Sequence, residues 1–544
     1  MGKNTVISSI TQITGFGFKK MESFNKLFLI TISKQYFEGQ ISSISNFIPT
    51  KTGKMKRLSF FVSILIVFSL VIPIVSVAQD NHYSWMQFGA RNSVLYNAGL
   101  SRFEDQSAVV VNPATLSSAA NSSFNFNTNA IGFNVINFEN GLGQGFNLTN
   151  SNLAVLPDMA AGVVKPWKRQ KDWVLGYSIY QRNADNLNFT DRTESKKDII
   201  GESESPGAEN YISQYHLNTK MNENSIVAGL GWKISSRLSF GFSQTFTHRS
   251  QEYMENFSAY VIPDLNTGAT VDLVGTTYNF YFNFFKIFTH TKIGLTGKFG
   301  KWDLGLTLTT PAIGIMGTGE MNADISLINV RLKRDTTGNR RNFVANGRFE
   351  KLKVKYKLPL SMAFGASRQF GKVIMYGAID WYSAIKKYAI LNPGDASFIQ
   401  PSTSENVLYT KQLLTVWEAR RNVFNGSIAA DWVISPDNHI LFSFRTDNFY
   451  SNSRVEEEGF SIPKKVWNNY HLTFGTQRDF GNSEWVIGLR LNRGGRNDYP
   501  QPFSFTDPTE ENFFQGERKT GRITSTGVQL LISYTFKFGF LGKQ

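Results

Sequence analysis

The last segment of the chain alternates. Val528, Leu530, Ile532, Tyr534, Phe536 and Phe538 share one parity, and Gln529, Ser533, Thr535 and Lys537 the other, with Leu531 the exception. A period of two places such sets on opposite faces of a sheet. The same alternation sets Trp302, Leu304, Leu306 and Leu308 against Asp303, Thr307 and Thr309, and Ile440, Phe442 and Phe444 against Ser443, Arg445 and Asp447. From about residue 122 the pattern recurs as strand, short turn, strand, long polar connection. Short turns are expected at Lys168–Asp172, Ser235–Ser236, Gly300–Lys301, Gly371–Lys372, Ser435–Asn438 and Gly481–Ser483. Long connections are expected near 186–215, 253–275, 317–345, 391–421, 453–465 and 497–520.

Short turns at one end and long loops at the other are the layout of outer-membrane barrels, whereas a soluble sandwich has no such asymmetry. The six turns join twelve strands, and a first strand near 122–138 and a last near 522–538 give fourteen. The predicted fold is an all-β transmembrane antiparallel barrel. Such a sheet must close, because hydrocarbon offers no partner for unpaired backbone groups. Near Phe285–Thr291 the apolar parity switches, from Tyr278, Phe280, Phe282 and Phe284 to Ile293 and Leu295. A one-residue bulge is expected there.

Composition agrees. Aromatic residues make up 14% of the 544, with 46 Phe and 45 Gly, while the mean hydropathy is only −0.23. Cysteine is absent, which excludes disulfides, thiol catalysis and a lipid-modified N-terminal cysteine. The formal charge is +15, but no basic run is interleaved with aromatics, so nucleic acid is not an expected partner. The six histidines are scattered without metal-ligand spacing, and neither a cofactor nor a metal is expected.

The one long apolar run spans Met55 to Asp80. Lys56 and Arg57 precede an apolar core, Leu58 to Val75, and Ser76-Val77-Ala78 forms a small-x-small cleavage signal. A transmembrane anchor would have similar length. The cleavage pattern and the polar sequence after it favour a signal peptide over 55–78, preceded by an extension, 1–54, that is misassigned or without order. Residues 79–121 then form a separate N-terminal segment ahead of a barrel over 122–540.

That segment carries "YNAGLSRFEDQSAVVVNPATLS", Tyr96 to Ser117. Further on come "TTPAIGIMGTGEM", from Thr309, and "LPLSMAFGASRQFGKVIMYGAIDWYSA", from Leu358. Together, in this order, they resemble the outer-membrane long-chain fatty-acid and hydrocarbon transporters of the FadL type. Asp105 to Ser107 stand at that family's "D-A-S" and Asn112 to Leu116 at its "N-P-A-G-L", with Gln106 and Thr115 departing from the pattern. The resemblance implies an N-terminal hatch inside the barrel, whose Asn112-Pro113-Ala114 turn sits near a break in the third strand. Gly176 is the candidate break, since glycine weakens a strand and lets another backbone approach. An ordinary turn ahead of strand one is the other reading of Asn112-Pro113-Ala114.

The resemblance further implies a monomer that carries hydrophobic small molecules passively, from outer loops to a pocket against the hatch, and out sideways into outer-membrane lipid. The candidate landing groove is Phe257, Tyr260, Val261, Ile262 and Leu265, apolar for an expected loop. Phe398, Leu413, Leu414 and Trp417 form a second. Lumen-side Asp303, Asp380, Asp431, Arg445 and Arg490 are expected to be structural ion pairs. Two other functions are compatible with the same sequence. A secretion scaffold would use the long loops as a docking platform. An outer-membrane phospholipase would use His248, Ser250 and Asn222 or Asn224, brought together on the lipid face of neighbouring strands.

Overall fold

The computed structural model describes residues 81–538, apart from 84–86, 97, 166–171, 332–338, 402–409 and 453–463. The expected extension and signal peptide lie outside the described residues.

Eighteen strands follow one another. They are β1 (Ser122–Glu139), β2 (Leu148–Val164), β3 (Trp173–Lys197), β4 (Glu209–Lys233), β5 (Leu238–Ile262) and β6 (Val274–Phe299), then β7 (Trp302–Thr309), β8 (Ile313–Arg331) and β9 (Arg340–Lys353). After them come β10 (Ser361–Phe370), β11 (Val373–Tyr382), β12 (Ile385–Leu391), β13 (Val416–Arg420), β14 (Val423–Ser435) and β15 (Asn438–Asp447). The last are β16 (Asn469–Asp479), β17 (Ser483–Pro500) and β18 (Thr520–Phe538). Fourteen of them, β1–β7, β10, β11 and β14–β18, pair as a closed antiparallel ring, with β1 on β18 from Ser122–Phe538 to Glu139–Arg522. This is the expected barrel. The hairpin β8–β9 continues the same sheet along the upper part of β6, and β12–β13 forms a separate two-stranded sheet.

The outward parity is apolar through the middle of the barrel, as at Phe242, Phe246, Leu306, Phe364, Ile428 and Leu489, all exposed. At the short-turn end it becomes aromatic, with Trp232, Phe299, Trp302, Phe370, Trp432 and Phe480 exposed. A ring of amphipathic aromatics marks a membrane interface.

Two expectations fail. The connections near 186–215 and 253–275 are mostly strand: β3, β4 and β5 have 25 residues each and β6 has 26. That is more than twice the ~9–11 residues a tilted strand needs to cross a bilayer. Above the membrane the outward side chains turn polar, so polarity there signalled water rather than a loop. Nor does β6 bulge against β5; the register shift found in the expected place, between Ile287 and Phe288, is against β8 and puts the extra residue on β8. The β5–β6 register runs unshifted from Leu238–Gly297 to Val261–Val274. Phe280, Phe282, Phe284, Phe288 and His290 are all buried on one inward parity. What changes along β6 is the environment: the inward face is apolar above, while the outward face is apolar below.

The interior therefore has two parts. In the upper part, Tyr215, Tyr253, Phe257, Phe280 and Phe282 form a core with Phe503, Phe505 and Phe514 from the connection between β17 and β18. Phe257 stacks on Phe503 at 4.4 Å and Tyr253 on Phe282 at 5.3 Å. The lower part is filled by the N-terminal segment.

Candidate functional site

The segment before β1 is compact inside the lumen. It holds two short helices, α1 (Arg91–Leu95) and α2 (Ala108–Val111), and a 3-10 turn over Pro113–Ser118. Its own polar groups knot it. The Asp105 carboxylate accepts from the backbone N–H of Asn92 and of Ser107, each at 2.8 Å, and the Asn92 side chain donates to Ser107 Oγ at 2.7 Å. Arg91 ties the knot to the wall, pairing with Asp431 on β14 at 2.5 Å and donating to Gln477 on β16.

Asn112, Pro113 and Ala114 are fully or nearly fully buried. Asn112 accepts from Ala114 N–H at 3.1 Å and donates to the carbonyls of Leu100 at 2.6 Å and Leu295 at 3.3 Å. The turn rests on a row of glycines that are neighbours across three strands, Gly231, Gly241 and Gly294. A Cβ on Gly241 would stand 2.4 Å from Ala114 N, and one on Gly294 2.0 Å from Asn112 Oδ1. Only a wall without side chains admits this contact. The turn thus meets β4, β5 and β6 rather than β3.

Gly176 is not a break. It pairs with Val163 on β2 and with Gly229 on β4, and its inner face lies against Leu116 and Val109. Here glycine serves close approach, not rupture. The wall loosens higher up. The backbone ladder between β2 and β3 runs from Val164–Leu175 only to Met159–Tyr180. Against β4, β3 then bulges between Gln181 and Asn183. Above the bulge, side chains replace the ladder: Asn152 donates to Asn186 O at 3.0 Å, and Asn150 accepts from Asn188 N–H at 3.0 Å. Residues 181–185 of β3 face a seam with no ladder to β2 among the described residues.

A cavity of about 140 Å³ between hatch and wall reaches the edge of that seam at Tyr180 and Arg182. Phe88, Leu100, Val110 and Val111 form its hatch side, and Tyr180, Arg182, His290, Lys292, Asp380 and Met362 much of its wall. Cations line it without closing it. Arg182 pairs with Glu223 at 2.8 Å, and Lys292 donates to Val110 O at 2.6 Å, at the end of α2.

The other expected residues are placed as follows. Phe257 and Val261 point inward and are buried in the upper core, while Ile262 is exposed and Leu265 lies past the end of β5. Tyr260, on the outward parity, bonds Thr277 at 3.1 Å. Strand alternation therefore divides the five between two faces, and they do not line one groove. Phe398 and Leu414 are buried in the upper core, whereas Leu413 is partly exposed. Arg445 pairs with Asp380 at 2.6 Å, Asp431 with Arg91, and Arg490 donates to Tyr96 at 3.4 Å. His248 stacks on Phe285 with ring centres 6.0 Å apart, and Asn222 accepts from Gln181 at 2.8 Å.

Sequence reasoning missed Glu255. Its carboxylate, in the upper core, accepts from Tyr215 and Tyr253, each at 2.9 Å, and burial pushes it up to about 7. An acid on the inward parity of an aromatic strand was the available signal.

No family model matches the chain, and no curated protein does. Among solved structures it is similar to a Pseudomonas aeruginosa FadL homologue, at 14% identity over 85% of this chain and 99% of that one, with a TM-score of 0.48. It is similar also to the Pseudomonas putida toluene transporter TodX, at 15% over 85% and 98%, TM-score 0.46. A third is the Ralstonia pickettii toluene transporter TbuX, at 13% over 83% and 99%, TM-score 0.46. The barrel described above rests on this chain's own strand pairing, not on these likenesses.

Proposed function

We propose that this barrel is an outer-membrane channel through which hydrophobic compounds pass without chemical change, leaving sideways between β2 and β3. The observation that carries this reading is the seam at residues 181–185, where no backbone ladder to β2 is found among the described residues, together with a hatch-walled cavity that reaches β3 at Tyr180 and Arg182. A ligand that exits there enters lipid without crossing water, which spares an alkyl chain about 0.8 kcal/mol per methylene. Arg182, Lys292 and His290 on the cavity wall favour a long-chain fatty acid over a bare hydrocarbon, because a buried carboxylate needs cationic or hydrogen-bonding partners. The hatch blocks free diffusion through the lumen, and the glycine row of β4, β5 and β6 lets it lie close against the wall.

The test exploits the absence of cysteine. In cells lacking their own carrier, the protein confers uptake of tritiated oleate. Cross-linking the seam through Asn152→Cys and Asn186→Cys abolishes that uptake until the cross-link is reduced. Uptake no greater than in cells without the protein would overturn the reading. Should the protein instead copurify with secreted polypeptides, the secretion scaffold takes its place.

A further inference from the structure

The seam beside β3 supplies an exit and leaves the entrance unassigned. The extracellular mouth is a poor candidate, because Phe503, Phe505 and Phe514 are packed into the upper core there. The wall offers a second discontinuity. β7 pairs with Lys292–Phe299 of β6, and β8 with Gly275–Thr289 of the same strand. They are two halves of one wall strand, interrupted at residues 310–312, where Pro311 removes a donor. β9 and β10 are likewise halves of the next, interrupted at residues 354–360. The lower ladder between these two strands ends at Thr309–Ser361, and the upper one begins at Thr318–Lys353. Among the described residues no ladder joins them in between.

Segment 354–360 is bonded away from this window. Lys355 N–H donates to Ile390 O at 3.0 Å, and Ser383 N–H to Leu360 O at 2.9 Å. From within, Phe288, Tyr356 and Leu358 fill the opening, with Ala312 packed against them. Unpaired backbone at membrane depth is tolerated where protein buries it or a cavity lies behind it. Tyr356 and Leu358 border a small space shared with Tyr83 and Arg182, and Tyr83 and Arg182 also line the cavity at the edge of the seam. Met362, at the lower edge of the window, lines this cavity and is also 39% exposed on the barrel's outside. The two discontinuities thus open on one interior.

Outside, the window has a distinct chemistry. Lys353, Lys355 and Lys357 alternate with the inward Val354, Tyr356 and Leu358 and are all exposed. None of the three lysines forms an ion pair among the described residues. Beside them Ile313 and Met316 are exposed and apolar. Lys357 lies over the Tyr388 ring at 4.9 Å, and a row of cations without acidic partners beside an apolar opening matches an anionic head carrying one alkyl tail.

We propose that this window is the entrance for single-tailed anionic amphiphiles, the lysine row holding the head while the tail passes Leu358 and Tyr356. The proposal rests on the channel reading above. A lysine row also protects an exposed strand edge from pairing, and the experiment separates the two roles. Ala312→Cys with Leu358→Cys, joined by a short bis-maleimide in intact cells, is expected to cut tritiated-oleate uptake to background. Complete cross-linking with unchanged uptake would overturn the entrance. Changing Lys353, Lys355 and Lys357 together to Gln is expected to raise the apparent KM for oleate about tenfold, leaving the maximal rate and the uptake of tritiated toluene unchanged. An unaltered KM for oleate, or an equal change for toluene, would reduce the row to edge protection and overturn the assignment to anionic amphiphiles. A wild-type protein without uptake would fail the channel reading itself, and the entrance with it; normal wild-type uptake in the face of an ineffective cross-link would fail the entrance alone.

Discussion

Along β6, one inward parity meets two interiors. At Phe280, Phe282 and Phe284 it enters a packed aromatic core, while ten residues further on Lys292 and Gly294 face the hatch. Above, the strands supply bulk, and their side chains fill the lumen together with Phe503, Phe505 and Phe514 from the connection after β17. Below, they supply glycine, and a separate piece of chain does the filling. The contrast shows why a barrel of this width needs both devices. An aromatic core is closed to any ligand, whereas a docked segment leaves unfilled space at its edges, and that is where the cavity lies.

Substitutions in the two halves should therefore fail in different ways. Phe282→Ala should remove about 3 kcal/mol or more from the upper core, seen as early proteolysis of the extracellular strands while the lower barrel stays protected. Gly241→Val places methyl groups where Ala114 lies and should cost about 1–3 kcal/mol. Its mark is a raised single-channel conductance as the hatch lifts, with the upper core unchanged.

Glu255 sharpens the comparison through pH. An unfolded glutamate titrates at about 4.3, against about 7 for the folded group. Between those values the folded state keeps a proton that the unfolded chain has released, so stability falls as pH rises from about 4 to 7 and then levels. Hydrogen exchange at Tyr253 and Phe282 should accelerate over that range, its protection free energy falling by about 3 kcal/mol. Glu255→Gln should flatten the dependence, and exchange in the hatch should not follow it. The smallest effect is expected of Asn112→Ala, at about 1 kcal/mol, read as faster exchange at Ala114 alone.

The sequence carried the barrel well and the site poorly, for identifiable reasons. Five of the six short turns lie between described strands where Gly, Ser, Asn or Lys marks them. The sixth, Lys168–Asp172, falls mostly outside the described residues. Alternation gave the faces, and it also misled: the parity switch near Phe285 read as a bulge because lipid and an aromatic core select the same residue types. Gly176 read as a break because one glycine looks like another, and only its neighbours distinguish a docking surface from a rupture. The seam was not legible at all. Asn150, Asn152 and Asn186 look like any polar face until they are seen bonding where the ladder is absent.

In the proposed channel a hydrophobic ligand occupies the space beside the hatch. Native mass spectrometry on protein released gently from outer membranes tests this most directly, by reading what is bound. A fatty acid or hydrocarbon is expected at a stoichiometry near one per chain, lost when the hatch segment 79–121 is deleted. An empty barrel, or one whose bound lipid survives that deletion, would contradict this.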